Sequence, residues 1–160
     1  MVRKIIFEGK NCRLGLLNKE DLKLIKDWRN QQREILRQNK ILTNSDQKKW
    51  FFLLKKDKQQ KIFSILNSDN NLLGYCGITH IDWSNKRGEV SFLLKTGTPY
   101  IFYKKVFLEV LKFLKRYSFS NLGLHKLFAE TFDFRKNHES ILREAGFKYE
   151  ATLVDHILKK

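Results

Sequence analysis

Two residues on neighbouring strand-like runs could move protons. His80 sits near the end of the run over 73–81, and Glu89 opens the run over 89–94. The turn Asp82-Trp83-Ser84-Asn85-Lys86-Arg87-Gly88 lies between them. An imidazole has an intrinsic pKa suited to proton transfer near neutrality, and a carboxylate can take a proton through a water. Glu130 and Asp133, near the end of a later run, are further candidates of the same kind. The other groups offer less. Cys12 and Cys76 are isolated, with no CxxC and no clustered histidines, so neither a disulfide nor a zinc site is expected. His125 and His156 read as structural or surface residues, and His138 has no metal-ligand spacing.

The elements that must position these groups follow from periodicity. Apolar runs over 4–7 and 12–16 flank Glu8-Gly9-Lys10-Asn11 and read as a hairpin or a bent first strand. Asn18 is placed to cap a helix carrying Leu22, Ile25 and Trp28 at helical spacing. Asn44 or Ser45 is placed to cap a second, with Trp50, Phe51, Leu53 and Leu54 on its apolar face. A strand over 61–66 leads through the turn Asn67-Ser68-Asp69-Asn70-Asn71 into the next strand near Leu72. A long amphipathic helix is expected over 103–117, with Val106, Val110, Phe113 and Tyr117 in one row. A strand over 125–131, a helix over 136–144 ended by Gly146, and a last strand over 149–157 complete the chain. The order is β, α, α, three antiparallel strands, α, β, α, β. It predicts an α/β fold with a mixed, mostly antiparallel central sheet and helices on both faces.

Bulk composition narrows the class. A chain of 160 residues reads as one domain, 1–160, and 42% apolar residues with thirteen Phe imply a packed core. No apolar run approaches the roughly 20 residues of a spanning helix, and the start, MVRKIIFEGKN, lacks the features of a signal peptide. A cytoplasmic protein is expected. The net charge of +15 suits nucleic acid, an acidic protein partner or an anionic small molecule. The lysines are spread along the chain, and no helix-turn-helix, zinc spacing or RNP-like strand accompanies them, which argues against direct nucleic-acid binding.

Several local strings, in order, resemble the GNAT acetyltransferases, and within them the branch of ribosomal-protein N-terminal acetyltransferases and amino-sugar N-acetyltransferases. They are Trp28-Arg29-Asn30; Gly74-Tyr75-Cys76-Gly77-Ile78 with Ile81-Asp82-Trp83 and Asn85; Gly88-Glu89-Val90-Ser91-Phe92-Leu93; Arg116-Tyr117-Ser118-Phe119 with Leu122-Gly123-Leu124-His125-Lys126-Leu127; and Ala145-Gly146-Phe147.

The resemblance implies attack of a primary amine on the thioester of acetyl-CoA, with no metal. Glu89 would be the base, through water, and His80 the alternative. A backbone N–H of the strand bearing Phe92, Leu93 and Leu94 would meet the oxyanion. Trp28, Arg29 and Asn30 would line the acceptor site, with Arg29 holding a phosphate or carboxylate of an anionic acceptor such as a nucleotide-linked amino sugar.

The family's glycine-rich pyrophosphate loop maps, counting back from Tyr117, onto Phe102, Tyr103, Lys104, Lys105, Val106 and Phe107, none of them glycine. Lys104 and Lys105 would supply charge instead. Gly97 lies upstream and could make a different turn. Arg135 stands where the family often has an asparagine, with Asn137 two residues on, and Leu142 stands where many members have a tyrosine. The family's further strand would begin near the closing Asp155-His156-Ile157-Leu158-Lys159-Lys160, so it is missing or comes from another chain, as in a homodimer. Two other readings stay open: the same fold with an acyl carrier protein as donor, and a degenerate domain that binds an acidic partner or nucleic acid.

Overall fold

The computed structural model describes residues 3–158. Met1 and Val2 of the opening run, and Lys159 and Lys160 of the closing string, lie outside the described residues. A six-stranded sheet runs in the order β1-β2-β3-β4-β5-β6. The strands are β1 (Ile5–Glu8), β2 (Arg13–Leu16), β3 (Lys61–Leu66), β4 (Leu72–Asp82), β5 (Arg87–Leu94) and β6 (Lys126–Phe128). All neighbours pair antiparallel except β5 and β6, which are parallel. Four α-helices join them: α1 (Leu22–Gln31), α2 (Asn44–Leu54), α3 (Tyr100–Arg116) and α4 (Lys136–Glu144).

Each face of the sheet carries its own core. On one face Val106, Phe107, Val110, Leu111, Phe113 and Leu114 of α3 are buried with Ile141 and Leu142 of α4 over Leu14, Ile65, Cys76, Ile78, Phe92 and Leu94. Burying a large apolar side chain contributes roughly 1.5–3 kcal/mol, so α3 is the helix that holds the sheet. The other face is thinner: Ile25 of α1 packs with Ile62, Tyr75 and Leu93, and Trp28 and Trp50 close over them. Gly74 and Gly77 lie in the middle of β4, where a Cβ would come within 2.0 Å of the Leu93 carbonyl and 2.1 Å of the Lys61 carbonyl. The neighbouring strands therefore approach backbone to backbone at both positions.

Long-range polar contacts tie the segment over 3–11 to this frame. Arg3 donates two bonds to the buried Asp21 carboxylate, at 2.7 and 2.8 Å, and Ser64 donates a third at 2.7 Å. In the turn between β1 and β2, the backbone N–H groups of Lys10 and Asn11 and the Asn11 side chain donate to the carboxylate of Glu109 on α3.

Four expectations shift. The long helix begins at Tyr100, earlier than 103, because Pro99 stands at its N-cap and the Pro99 carbonyl accepts from Tyr103 N–H at 2.9 Å. The second helix is capped by Thr43, whose hydroxyl accepts from Asp46 N–H while the Asp46 carboxylate accepts from Thr43 N–H, a reciprocal cap. The strand expected over 125–131 is confined to Lys126–Phe128. The last strand expected over 149–157 does not form. Leu153 and Val154 lie exposed, and the backbone turns at Asp155 with φ 52°.

Candidate active site

The site is built where β5 and β6 part. Their parallel pairing ends at Glu89↔Phe128, yet β5 continues to Leu94. Beyond Glu89 that edge of β5 has no ladder partner. Lys95 N–H donates to the Leu73 carbonyl at 2.8 Å, so Lys95 turns its polar groups toward β4. Backbone direction alternates along a strand. Leu93, Ser91 and Glu89 therefore also face β4, and Val90, Phe92 and Leu94 face the open edge. The Leu94 carbonyl on that edge accepts from the Gln32 side chain at 2.8 Å. Val90 N–H still belongs to the ladder with Phe128, so the first N–H on the open edge is that of Phe92, whereas the backbone of Leu93, expected as a cofactor contact, faces β4.

Side chains alternate too. Phe92 and Leu94 point to the α3 face and Leu93 to the α1 face, which puts Glu89 on the α1 face as well. Glu89 is 3% exposed and fully engaged. Its Oε2 lies 2.7 Å from His80 Nδ1, and its Oε1 accepts from the Arg37 guanidinium. His80 reaches it through a bulge: the β4–β5 register shifts between Thr79 and Asp82, and His80 adopts φ 49°. A non-glycine residue in that region is uncommon and is held by its surroundings. Carboxylate binding at Nδ1 leaves Nε2 as the ring's free lone pair, on a side chain that is 68% exposed. Both oxygens of Glu89 are thus occupied, and of the two candidate proton acceptors His80 is the more exposed.

Arg37, from the loop between α1 and α2, was not singled out by sequence reasoning. It bonds Glu89 with one nitrogen and Glu130 Oε2 with another at 2.6 Å, bridging the two sides of the parting strands. Glu130 is thereby brought to the site. The Trp28-Arg29-Asn30 string is placed differently from expectation. Trp28 packs on the α1-side core. Arg29 donates to Gln38 Oε1 at 3.0 Å and to the Tyr75 hydroxyl at 2.9 Å. Asn30 bonds both the N–H and the carbonyl of Leu42 and accepts from Gln38. These bonds make the string a brace for the loop over 36–42, with Arg29 held on neutral oxygens rather than poised for an anion.

On the opposite face a cavity of about 300 Å³ is lined by Thr98, Tyr100, Tyr103, Phe134, Arg135, Lys136, Asn137 and His138. The N-terminal ends of α3 and α4 meet there, and helix N-termini with unpaired N–H groups favour anions. Arg135, Lys136 and Asn137 add donors, which fits the phosphates of coenzyme A, and the open edge of β5 fits its extended arm. The loop that opens α3 is 95–99, containing Gly97 at φ 78°. Of the positions expected to hold the cofactor, Tyr103 and Asn137 line the cavity. Val106 and Phe107 do not, being fully buried in the core. Lys104 is paired with Glu144 at 2.8 Å. Lys105 is exposed and does not line the cavity.

A second cluster sits on this cavity. His138 Nδ1 is 2.8 Å from the Tyr103 hydroxyl and 3.2 Å from Arg135 Nη2. Arginine can only donate, so Nδ1 is the unprotonated nitrogen and also accepts from the tyrosine. Burial, then the Arg135 charge, pulls the His138 pKa down to about 3. Burial likewise pushes the Tyr103 hydroxyl up to about 12, and Arg135 opposes that rise. The ring stacks on Phe107 at 4.6 Å, and Phe107 on Phe92 at 4.1 Å. Among the described residues no group of His, Cys, Asp or Glu could hold a metal ion, and no helix is long and apolar enough to cross a membrane.

Known proteins share this fold. The crystal structure of spermidine N-acetyltransferase from Vibrio cholerae in complex with CoA and spermine matches with a TM-score of 0.81 at 18% identity, over 95% of this chain and 89% of that one. The dodecameric structure of the enzyme from the same organism, in an intermediate state, matches at 0.70 and 20% identity, over 93% and 86%. These similarities establish the fold. They do not single out the ribosomal-protein or amino-sugar branch. No curated protein sequence matches the chain. The model of the acetyltransferase (GNAT) domain matches residues 14–160. The chain belongs to the GNAT family and is an acetyl-CoA-dependent N-acetyltransferase.

Proposed function

We propose that the acetyl acceptor is a small molecule with one reactive primary amine, entering from the α1 face, and that the amine is carried on an anionic body such as a nucleotide-linked sugar. The observation that carries the chemistry is the 2.7 Å contact between His80 Nδ1 and Glu89 Oε2 at the last paired position before the strands part. His80 Nε2 takes the proton the amine must lose. The neutral nitrogen attacks the thioester carbonyl, whose oxygen is met by an N–H of the free edge of β5. The C–N bond forms, the C–S bond breaks, and the thiolate leaves into the α3-side cavity. The net charge of +15 supports an anionic acceptor.

A second reading, a polyamine acceptor, is supported by Glu89 and Glu130 facing each other across the cleft and by the spermidine enzymes that share the fold. The acidic protein partner that the charge suggested has no counterpart in these comparisons. The test is release of free thiol from acetyl-CoA by the purified protein, with nucleotide-linked amino sugars and spermidine as rival acceptors. Turnover with the sugars supports the first reading, and turnover confined to spermidine replaces it with the second. Thiol release with neither, across a panel of primary amines, would remove the assignment of this cleft.

A further inference from the structure

Arg37 occupies the place a second positive charge would take. Its guanidinium lies between a buried carboxylate on β5 and a half-exposed one just past β6, 52 and 93 residues away in sequence. Without it, Glu89 and Glu130 would face the cleft as an acidic pair and attract any molecule with spaced ammonium groups. With it, one of those two charges is neutralised from within, and both oxygens of Glu89 are taken.

Arg37 is also held in position. The neighbouring Gln38 is buried and bonded to Arg29, Asn30 and the Lys40 carbonyl, and Asn30 ties down Leu42. A cation on a braced loop is a fixed part of the site, not a strap that swings away when substrate arrives.

We propose that Arg37 sets acceptor selectivity: it is a built-in cation that lets a single amine reach His80 and refuses polyamines. The inference rests on the reading of this cleft as the acceptor site. It explains how a fold shared with spermidine enzymes can take a different class of amine. It also assigns the polar half of the Trp28-Arg29-Asn30 string a purpose, that of fixing the loop from which Arg37 reaches.

The test is binding without turnover. Wild type, Arg37→Gln and Arg37→Lys are titrated with spermidine by calorimetry in the absence of acetyl-CoA, at low and at physiological salt. The R37Q protein is expected to bind spermidine about tenfold tighter than wild type, with the gain shrinking as salt rises. The R37K protein, which keeps the charge, is expected to stay as weak as wild type. Equal spermidine affinity in R37Q and wild type would overturn the proposal, as would tightening in R37K. If R37Q does not fold, shown by loss of its thermal transition, R37K still decides, since a tenfold gain there is incompatible with refusal by charge. Because no acetyl transfer is needed, these outcomes are separate from the acceptor assay. A protein that acetylates sugars but gains nothing in R37Q keeps its assigned reaction and loses the selectivity mechanism.

Discussion

Each face of the sheet carries a histidine beside the parting strands, and the two are chemically opposite. His80 and His138 both present Nδ1 to a partner at hydrogen-bond distance, 2.7 Å in one case and 2.8 Å in the other. His80 is largely exposed and its partner is a carboxylate, which holds the ring with a nitrogen free to accept a proton. His138 is stacked on Phe107 beside Arg135, and burial keeps it neutral. The same ring is exposed and held by a carboxylate on one side of the sheet, and is a piece of packing on the other. Residue type alone does not tell the two apart. The partner and the solvent do.

The comparison can be broken at its packing end first. Phe107→Ala removes the ring between Phe92 and His138 and should destabilise the protein by about 3–5 kcal/mol in denaturant titration. His80→Ala removes the proposed base and should lower kcat by about a hundredfold, with little change in the unfolding midpoint. An equal loss of stability would make His80 structural and erase the contrast.

His138 offers the pH test. Its folded-state value of about 3 lies below its ordinary 6.5, so the unfolded chain binds the extra proton between those values. The stability tied to this ring is complete above about pH 6.5 and is lost as pH falls toward 3, at up to about 1.4 kcal/mol per pH unit. His138→Phe should flatten that dependence in denaturant titrations at pH 4 to 7. The smallest effect belongs to Tyr103→Phe, which deletes one bond to His138 and should cost about 1 kcal/mol in the same measurement.

Much of this was legible in the sequence because it was local or periodic. The strand-turn-strand carrying His80 and Glu89, the apolar row of α3 and the α4 cap each follow from neighbours a few residues apart. The contacts of Glu89 did not follow, because occupancy of its oxygens depends on Arg37 from a distant loop. Arg37 itself sits in a polar run without periodicity, so nothing in its neighbourhood marked it. Counting back from Tyr117 put the glycine-loop positions over 102–107, inside α3, although Pro99 already signals a helix entry. The strand expected over 149–157 had suitable composition, but a strand needs a ladder partner, and composition does not supply one.

The bond between the first hairpin and α3 has a consequence in time. Glu109 accepts from Lys10 and Asn11 across 99 and 98 residues of chain. On a ribosome adding about 5–20 residues per second, the hairpin exists for roughly 5–20 s before its carboxylate is made. Until then water serves those donors, and the sheet edge that β1 and β2 form has no helix to lie against. Contacts of this span are the late and slow ones in folding. The edge formed by β1 and β2, though made before the rest of the sheet, is completed only when α3 is present to receive it.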